Sequence, residues 1–254
     1  MRLWKPRDSG ADYNQLQCLA QPLRVKHLLY GVNISLRYKY LYCETPKVAS
    51  STIKRTLQDL ELGDLGTNDP SIRRLYDRTR SPLLNPLQVV NFRALLADPR
   101  FFKFCFVRNP YARILSAFLD KFEADPVSRR LSLKKYRMRG EFWKREVGFA
   151  DFVDMVSRQN PERMDLHWRP QVLQTFRGSI RYDFIGKLEN FRADFRSVLE
   201  RIGTDPAAFE KIPVEATGAS NRLGGYYNQE RETAVYKIYR EDFHAFGYDT
   251  KLPR

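Results

Sequence analysis

Two short apolar runs, each leading through a proline-bearing turn into a segment of helical spacing, constrain this chain more than any other feature. The first is Tyr38–Cys43 (YKYLYC), rich in the aromatic residues that suit a pleated, buried strand. Thr45 and Pro46 turn away from it. Ser51–Leu62 then places Ile53, Leu57 and Leu60 at i, i+4 and i+7, which predicts an amphipathic helix. The second run is Phe101–Val107 (FFKFCFV), short and almost uninterrupted, as in a central parallel strand. Arg108-Asn109-Pro110 ends it, and Pro110 suits the first turn of a helix. In that helix Ile114, Leu115, Phe118, Leu119 and Phe122 share one face, while Arg113, Ser116 and Asp120 fall on the other. Arg113 and Ser116 are neighbours at i, i+3. Strands that alternate with helices predict an α/β fold: a P-loop-like three-layer α/β/α arrangement around a central, mostly parallel sheet.

The rest of the chain extends this pattern. Residues 1–35 read as an irregular lead-in, and 63–82 as a loop with Gly63, Gly66, Pro70 and Pro82. Asn85-Pro86 has the form of an N-cap and first helical position, opening a helix through Leu96. Residues 123–147 are strongly basic. Phe149, Phe152, Val153 and Val156 mark a helix face, and Ile180–Ile185 reads as a strand. Phe191, Phe195, Val198, Leu199 and Ile202 define a helix ended by Gly203. A last helix covers Glu230–Asp242, with Val235, Ile238 and Tyr239 inward. No linker or repeat interrupts the sequence, so 1–254 reads as one domain.

Composition narrows the chemistry. With 254 residues, 43% hydrophobic and including 17 Phe and 14 Tyr, the chain can bury a core, which excludes a disordered protein. No run approaches the roughly 18 apolar residues of a membrane span. The opening MRLWKPRDSGADYNQ has no apolar stretch of the secretory kind, so with Met1 as the natural start the protein reads as cytoplasmic. The three cysteines, Cys18, Cys43 and Cys105, are odd in number and form no C-x-x-C pair, which argues against a disulfide framework and a zinc site. Cys43 and Cys105 lie in the strand-like runs and read as small buried hydrophobes. The formal charge of +14 points to anionic partners. The basic residues are dispersed and form no nucleic-acid arm.

Two segments have the residues of an anion site. Thr45-Pro46-Lys47-Val48-Ala49-Ser50-Ser51-Thr52 joins a strand to a helix N-terminus, where backbone N–H groups are unpaired and the helix dipole favours an anion. Ser50, Ser51 and Thr52 add hydroxyls, Lys47 adds a charge, and Ala49 and Ser50 are small. The segment reads as a cradle for phosphate or sulfate, with an ordinary N-cap as the plain alternative. No glycine lies between Gly31 and Gly63, and no carboxylate follows FFKFCFV, so a Walker loop with its magnesium ligand is absent from the sequence. The second segment is Arg108–Ser116. Arg108 ends a strand and offers a planar fork for phosphate oxygens, and ligands of open α/β sheets bind beyond such strand ends.

These two segments resemble the binding motifs of sulfotransferases that use 3′-phosphoadenosine 5′-phosphosulfate (PAPS). TPKVASSTIKR is similar to their 5′-phosphosulfate loop. FVRNPYARILSAFLDKF is similar to their 3′-phosphate site, in which an Arg and a Ser eight positions later bind the phosphate, the spacing of Arg108 and Ser116. The wording is nearest to carbohydrate sulfotransferases of the chondroitin and dermatan 4-sulfotransferase type. DFIGKLENFRADF at Asp183–Phe195 and IYREDFHAFGYD near the C-terminus add to it, so the resemblance runs over Tyr38–Asp249. Animal members carry a Golgi anchor and several cysteines. This chain shows neither, and so resembles a soluble, bacterial type of relative; as an excised domain it would belong to the Golgi lumen.

The resemblance implies in-line transfer of a sulfuryl group from PAPS to an acceptor hydroxyl, that of a saccharide or polysaccharide, with 3′,5′-adenosine bisphosphate (PAP) as product and no metal. Lys47 would stabilise the leaving oxygen. Pro46, Lys47, Val48, Ala49, Ser50, Ser51 and Thr52 would hold the 5′-phosphosulfate, and Arg108 and Ser116 the 3′-phosphate. Arg222, in Asn221-Arg222-Leu223-Gly224-Gly225, is a further candidate in a loop of the kind that closes over the nucleotide. The general base is His167, within Asp165-Leu166-His167-Trp168-Arg169-Pro170-Gln171, or a carboxylate such as Glu61, Asp59 or Asp64. The basic stretch Arg129–Arg145, with Tyr136, Phe142 and Trp143, reads as a binding surface for an anionic glycan or as a solvated face. Two other classes compete: a P-loop-type nucleotide kinase, and a non-enzymatic polyanion-binding module whose binding would depend steeply on salt.

Overall fold

The computed structural model describes residues 9–63, 81–123, 126–135, 147–206 and 218–253. The loop expected at 63–82, apart from its ends, lies outside these residues. So do the candidate base Asp64, and Tyr136, Phe142 and Trp143 of the basic stretch. The chain divides into two compact units. The first comprises Met1–Thr45, Ser50–Phe106 and Leu173–Pro213, and the second Pro46–Ala49, Val107–Val172 and Val214–Arg254. Each is assembled from interleaved segments, so no linker marks the boundary.

The first unit is built on a four-stranded sheet in the order β1 (Val32–Ser35), β2 (Tyr40–Cys43), β3 (Phe102–Val107), β4 (Phe184–Lys187). β1 pairs antiparallel with β2, and β2 pairs parallel with β3. The β2–β3 register sets Tyr40 and Tyr42 beside Phe102 and Phe104, and Leu41 and Cys43 beside Lys103 and Cys105. Side chains alternate along a strand, so one face of the sheet is aromatic and the other aliphatic. Both are covered, as parallel strands require. On the aromatic face the Tyr42 and Phe104 rings stack 5.2 Å apart, and Phe106 meets Phe195 of helix α9 (Phe191–Arg201) at 6.0 Å. The aliphatic face packs Leu41, Cys43 and Cys105 with Leu16 and Ala20 of α1 (Ser9–Ala20), Leu28 of α2 (Val25–Gly31) and Phe92 and Leu95 of α4 (Phe92–Ala97). Helix α3 (Ser50–Leu62) follows β2 as predicted, with Ile53, Leu57 and Leu60 buried.

Three expectations change. Residues 9–35 are α1, α2 and β1 rather than an irregular lead-in. Leu16, Leu19 and Ala20 span barely one turn within polar sequence, so α1 is held by tertiary packing and not by an extended periodic stripe. The helix expected from Asn85 to Leu96 is broken. Asn85 caps one 3-10 turn, Pro86–Gln88, Val89 is extended, and Asn91 caps α4 anew. The strand expected at Ile180–Ile185 begins only at Phe184, because the Ile180 N–H is spent on a turn to the Phe176 carbonyl at 2.8 Å.

The second unit is helical. Helix α5 (Pro110–Phe118), begun by Pro110 and capped by Asn109, continues as a π turn, Leu119–Glu123. α6 (Pro126–Lys135) follows. All nine residues of α5 are buried, its polar side included. It packs with α7 (Phe149–Ser157) and, beyond the short α8 (Gln171–Gln174) and the turn α10 (Leu223–Tyr226), with α11 (Gln229–Phe246). Phe118 meets Phe149 at 5.4 Å, Phe152 meets Trp168 at 5.3 Å, and Tyr111 meets Phe243 at 4.9 Å. Among the described residues no helix is long and apolar enough to cross a membrane.

Candidate active site

The segment Pro46–Ala49 belongs to the second unit and has an unusual backbone. Lys47 and Ala49 have φ of 71° and 59°. Left-handed conformations cost a non-glycine residue about 1 kcal/mol or more and persist where surroundings impose them. Here two arginines of the same unit do so: Arg113 Nε donates to the Pro46 carbonyl at 3.1 Å, and Arg108 Nη1 donates to the Lys47 carbonyl at 3.3 Å. Left-handed residues in a short loop are a component of anion-binding nests. The chain continues directly into Ser50, Ser51 and Thr52, the first turn of α3 in the first unit. That turn is tied to the end of β2 by a buried ion pair between Lys54 and Glu44. The Thr45 hydroxyl is fully buried and without a hydrogen-bond partner among the described residues.

Lys47 Nζ lies 3.1 Å from Asp120 Oδ2 on the π turn. Burial pulls the lysine below its ordinary pKa, Asp120 opposes that, and the nearby Lys121 and Arg108 charges add to the lowering. Asp120 is raised by its own burial, yet the Lys47 charge and the Lys121 contact outweigh this and hold it below the usual carboxylate range.

Arg108 and Ser116 are both buried, at 5% and 1% exposure, and both belong to the second unit with Lys47. Arg108 Nη2 donates to Ser220 Oγ at 3.0 Å. The loop that carries Arg222 therefore reaches Arg108 through a serine, two residues earlier. Arg222 itself is taken by Glu123 of the π turn at 2.7 Å and by the Tyr226 hydroxyl at 2.6 Å. Arg113, on the helix side opposite the apolar face, is enclosed at 1% exposure. Besides Pro46 it donates to the Arg169 carbonyl at 2.7 Å and the Leu166 carbonyl at 3.1 Å. A lone buried charge is costly, and three carbonyls supply what water would have.

The Leu166 and Arg169 carbonyls lie on either side of His167 in the chain. Its Nδ1 lies 2.5 Å from Asp165 Oδ1, which also accepts the His167 backbone N–H at 3.1 Å. Burial lowers the imidazole pKa; Asp165 pushes it up, and Lys121 and Lys47 push it down. The net lowering favours neutral imidazole. Its one proton belongs on Nδ1, facing the carboxylate, which leaves Nε2 as acceptor. Glu61, by contrast, accepts the Ser35 hydroxyl at 2.7 Å within the first unit. Among the described residues no group of three or more His, Cys, Asp or Glu is arranged to hold a metal ion.

The sequence profile of the sulfotransferase family matches residues 30–249. The chain belongs to this family. It is 35% identical over 190 residues to carbohydrate sulfotransferase 14 of Danio rerio, covering 72% of this chain and 51% of that protein. With human carbohydrate sulfotransferase 14 it shares 33% over 189 residues, 70% and 48% of the two chains. With carbohydrate sulfotransferase 10 of Rattus norvegicus it shares 26% over 245 residues, 88% and 68%. The chain thus spans about half the length of the first two relatives. No solved structure matches it significantly.

The second unit of this family member gathers Lys47, Arg108, Ser116 and His167. It also brings in residues that the motifs do not mark. Asp120 and Arg113 share the helical face of Ser116, and that spacing is a signal of a kind. Asp165 stands two residues before His167. Ser220 carries no signal at all in the sequence.

Proposed function

We propose that this sulfotransferase moves a sulfuryl group from PAPS to a hydroxyl of a saccharide. One observation carries the reading: Arg108 is bonded to the carbonyl of Lys47, so the cation suited to a 3′-phosphate and the cation suited to a phosphosulfate are held in one unit. The chain's features fit a donor with an anion at each end. The left-handed Lys47 and Ala49 suit the 5′-phosphosulfate. Arg108, Ser116 and Ser220 suit the 3′-phosphate. The donor supplies an activated sulfur–oxygen bond.

Each residue then has a defined task. Lys47 places positive charge where the bridging oxygen becomes negative. His167 Nε2 accepts the acceptor's hydroxyl proton as the new oxygen–sulfur bond forms and the bridging bond breaks, releasing PAP. Asp165 orients the imidazole and stabilises its protonated form. The carbohydrate acceptor is supported by the names of the relatives.

Calorimetric titration tests the donor. PAP should bind without metal and ATP·Mg²⁺ should not; preference for ATP would instead support a kinase. ³⁵S-labelled PAPS with a polysaccharide panel tests the acceptor, and label in a protein or lipid hydroxyl alone would overturn the saccharide reading.

A further inference from the structure

Arg108 is held from behind by a hydrogen-bonded chain that reaches into helix α11. The Gln171 side chain, fully buried, pairs with both backbone groups of Arg108. Its Oε1 accepts the Arg108 N–H at 2.9 Å, and its Nε2 donates to the Arg108 carbonyl at 2.8 Å. A side-chain amide thus makes the two bonds that a neighbouring strand would make, at the point where β3 ends. Gln171 is itself fixed by Asp242. One carboxylate oxygen accepts the Gln171 N–H at 2.8 Å and faces Gln171 Nε2 at 3.5 Å; the other accepts the Val172 N–H at 2.9 Å. All four residues belong to the second unit. Asp242 is completely buried, in the otherwise amphipathic helix α11. A carboxylate in that position is expensive unless something needs its geometry.

What it serves is Arg108. The guanidinium bridges the Lys47 carbonyl and Ser220 Oγ, so a shift of the Arg108 backbone would misaim both of its ends. We propose that Gln171 and Asp242 are positioning residues for the donor's 3′-phosphate. By fixing the backbone of Arg108 they set the preference for a nucleotide that carries a 3′-phosphate over one that does not. The inference rests on the reading of Arg108 as the 3′-phosphate residue.

The test compares 3′,5′-adenosine bisphosphate with 5′-AMP, each by competition against a fluorescent nucleotide, on the intact protein. Arg108→Ala should erase most of the preference. Gln171→Leu and Asp242→Asn should each lower it by about tenfold or more through the 3′-phosphorylated ligand, with 5′-AMP affinity within about twofold of wild type. Gln171→Glu keeps the acceptor for the Arg108 N–H and should fall between. Should Gln171→Leu fail to fold, the Gln171→Glu and Asp242→Asn ratios decide. Arg108→Ala erasing the preference while the Gln171 and Asp242 variants retain it would overturn the inference alone. Equal loss of both nucleotides would also overturn it, as a merely structural role. A wild type without 3′-phosphate preference, or one unchanged in Arg108→Ala, would instead overturn the reading of Arg108.

Discussion

Lys47 Nζ and Asp120 Oδ2 form a 3.1 Å ion pair between a left-handed loop residue and a π turn. π turns recur at functional sites because the extra residue redirects a side chain. Here the turn sends Asp120 to Lys47 and Glu123 to Arg222. In the proposed function Lys47 acts as a cation, so activity should be lost as pH rises through its pKa. Burial lowers that pKa and Asp120 restores part of it, with Lys121 and Arg108 opposing. Asp120→Asn should therefore move the alkaline limb of kcat/KM to lower pH. Lys47→Ala should cost roughly 10²–10³ in kcat. An alkaline limb that stays in place in Asp120→Asn would separate Asp120 from Lys47's ionisation.

The proposed base, His167, gives the opposite sense. A base is active when neutral, so activity should fall as pH drops through its pKa. Burial already lowers that pKa and Asp165 is the group raising it. Asp165→Asn should shift the acid limb downward in pH and reduce kcat, because the imidazole loses its orienting partner. His167→Ala should reduce turnover by roughly 10²–10⁴-fold with PAP affinity intact. Near-normal turnover in His167→Ala would remove it as the base.

In the first unit the close approach of Gly186 to Phe106 sets a stability prediction. A Cβ at Gly186 would overlap the Phe106 ring, which is itself fully buried and meets Phe191 at 5.5 Å. Gly186→Ala should destabilise the protein by roughly 1–3 kcal/mol. A second change, Phe106→Leu, should recover part of that loss by opening space. Urea unfolding of the single and double variants measures both, and an unchanged midpoint for Gly186→Ala would contradict the packing.

The strand, loop and helix around Lys47, and the Arg108–Ser116 helix, were legible because their signals are local: an apolar run, a proline, a helical period. Arg113 shows where such signals stop. Its wheel position, opposite the apolar face, does not show that it is buried, with carbonyls of Pro46, Leu166 and Arg169 converging on it. Ser220 and Asp242 are likewise defined by what meets them. Helix α1 escaped notice for the same reason, since its burial comes from tertiary neighbours. Arg222 stood out as a basic residue beside glycines, yet charge at a sequence position does not say which acid will claim it; Glu123 does.

Arg113 yields the last prediction. Its guanidinium joins the Pro46 carbonyl, next to Lys47, with the Leu166 and Arg169 carbonyls on either side of His167. One side chain therefore bonds both the segment that carries Lys47 and the turn that carries His167. Lysine keeps the charge but has no planar fork to serve three acceptors. Arg113→Lys should lower kcat by roughly 10²-fold or more, and lower stability by about 2–4 kcal/mol, since buried carbonyls lose their donors. The distinguishing readout is coupling. If Arg113 acts by aiming Lys47 and His167, its loss should be strongly non-additive with Lys47→Ala and with His167→Ala in kcat, because an aiming contact has nothing left to aim once its target is gone. Simple additivity of the kcat losses would make Arg113 a residue of the fold alone.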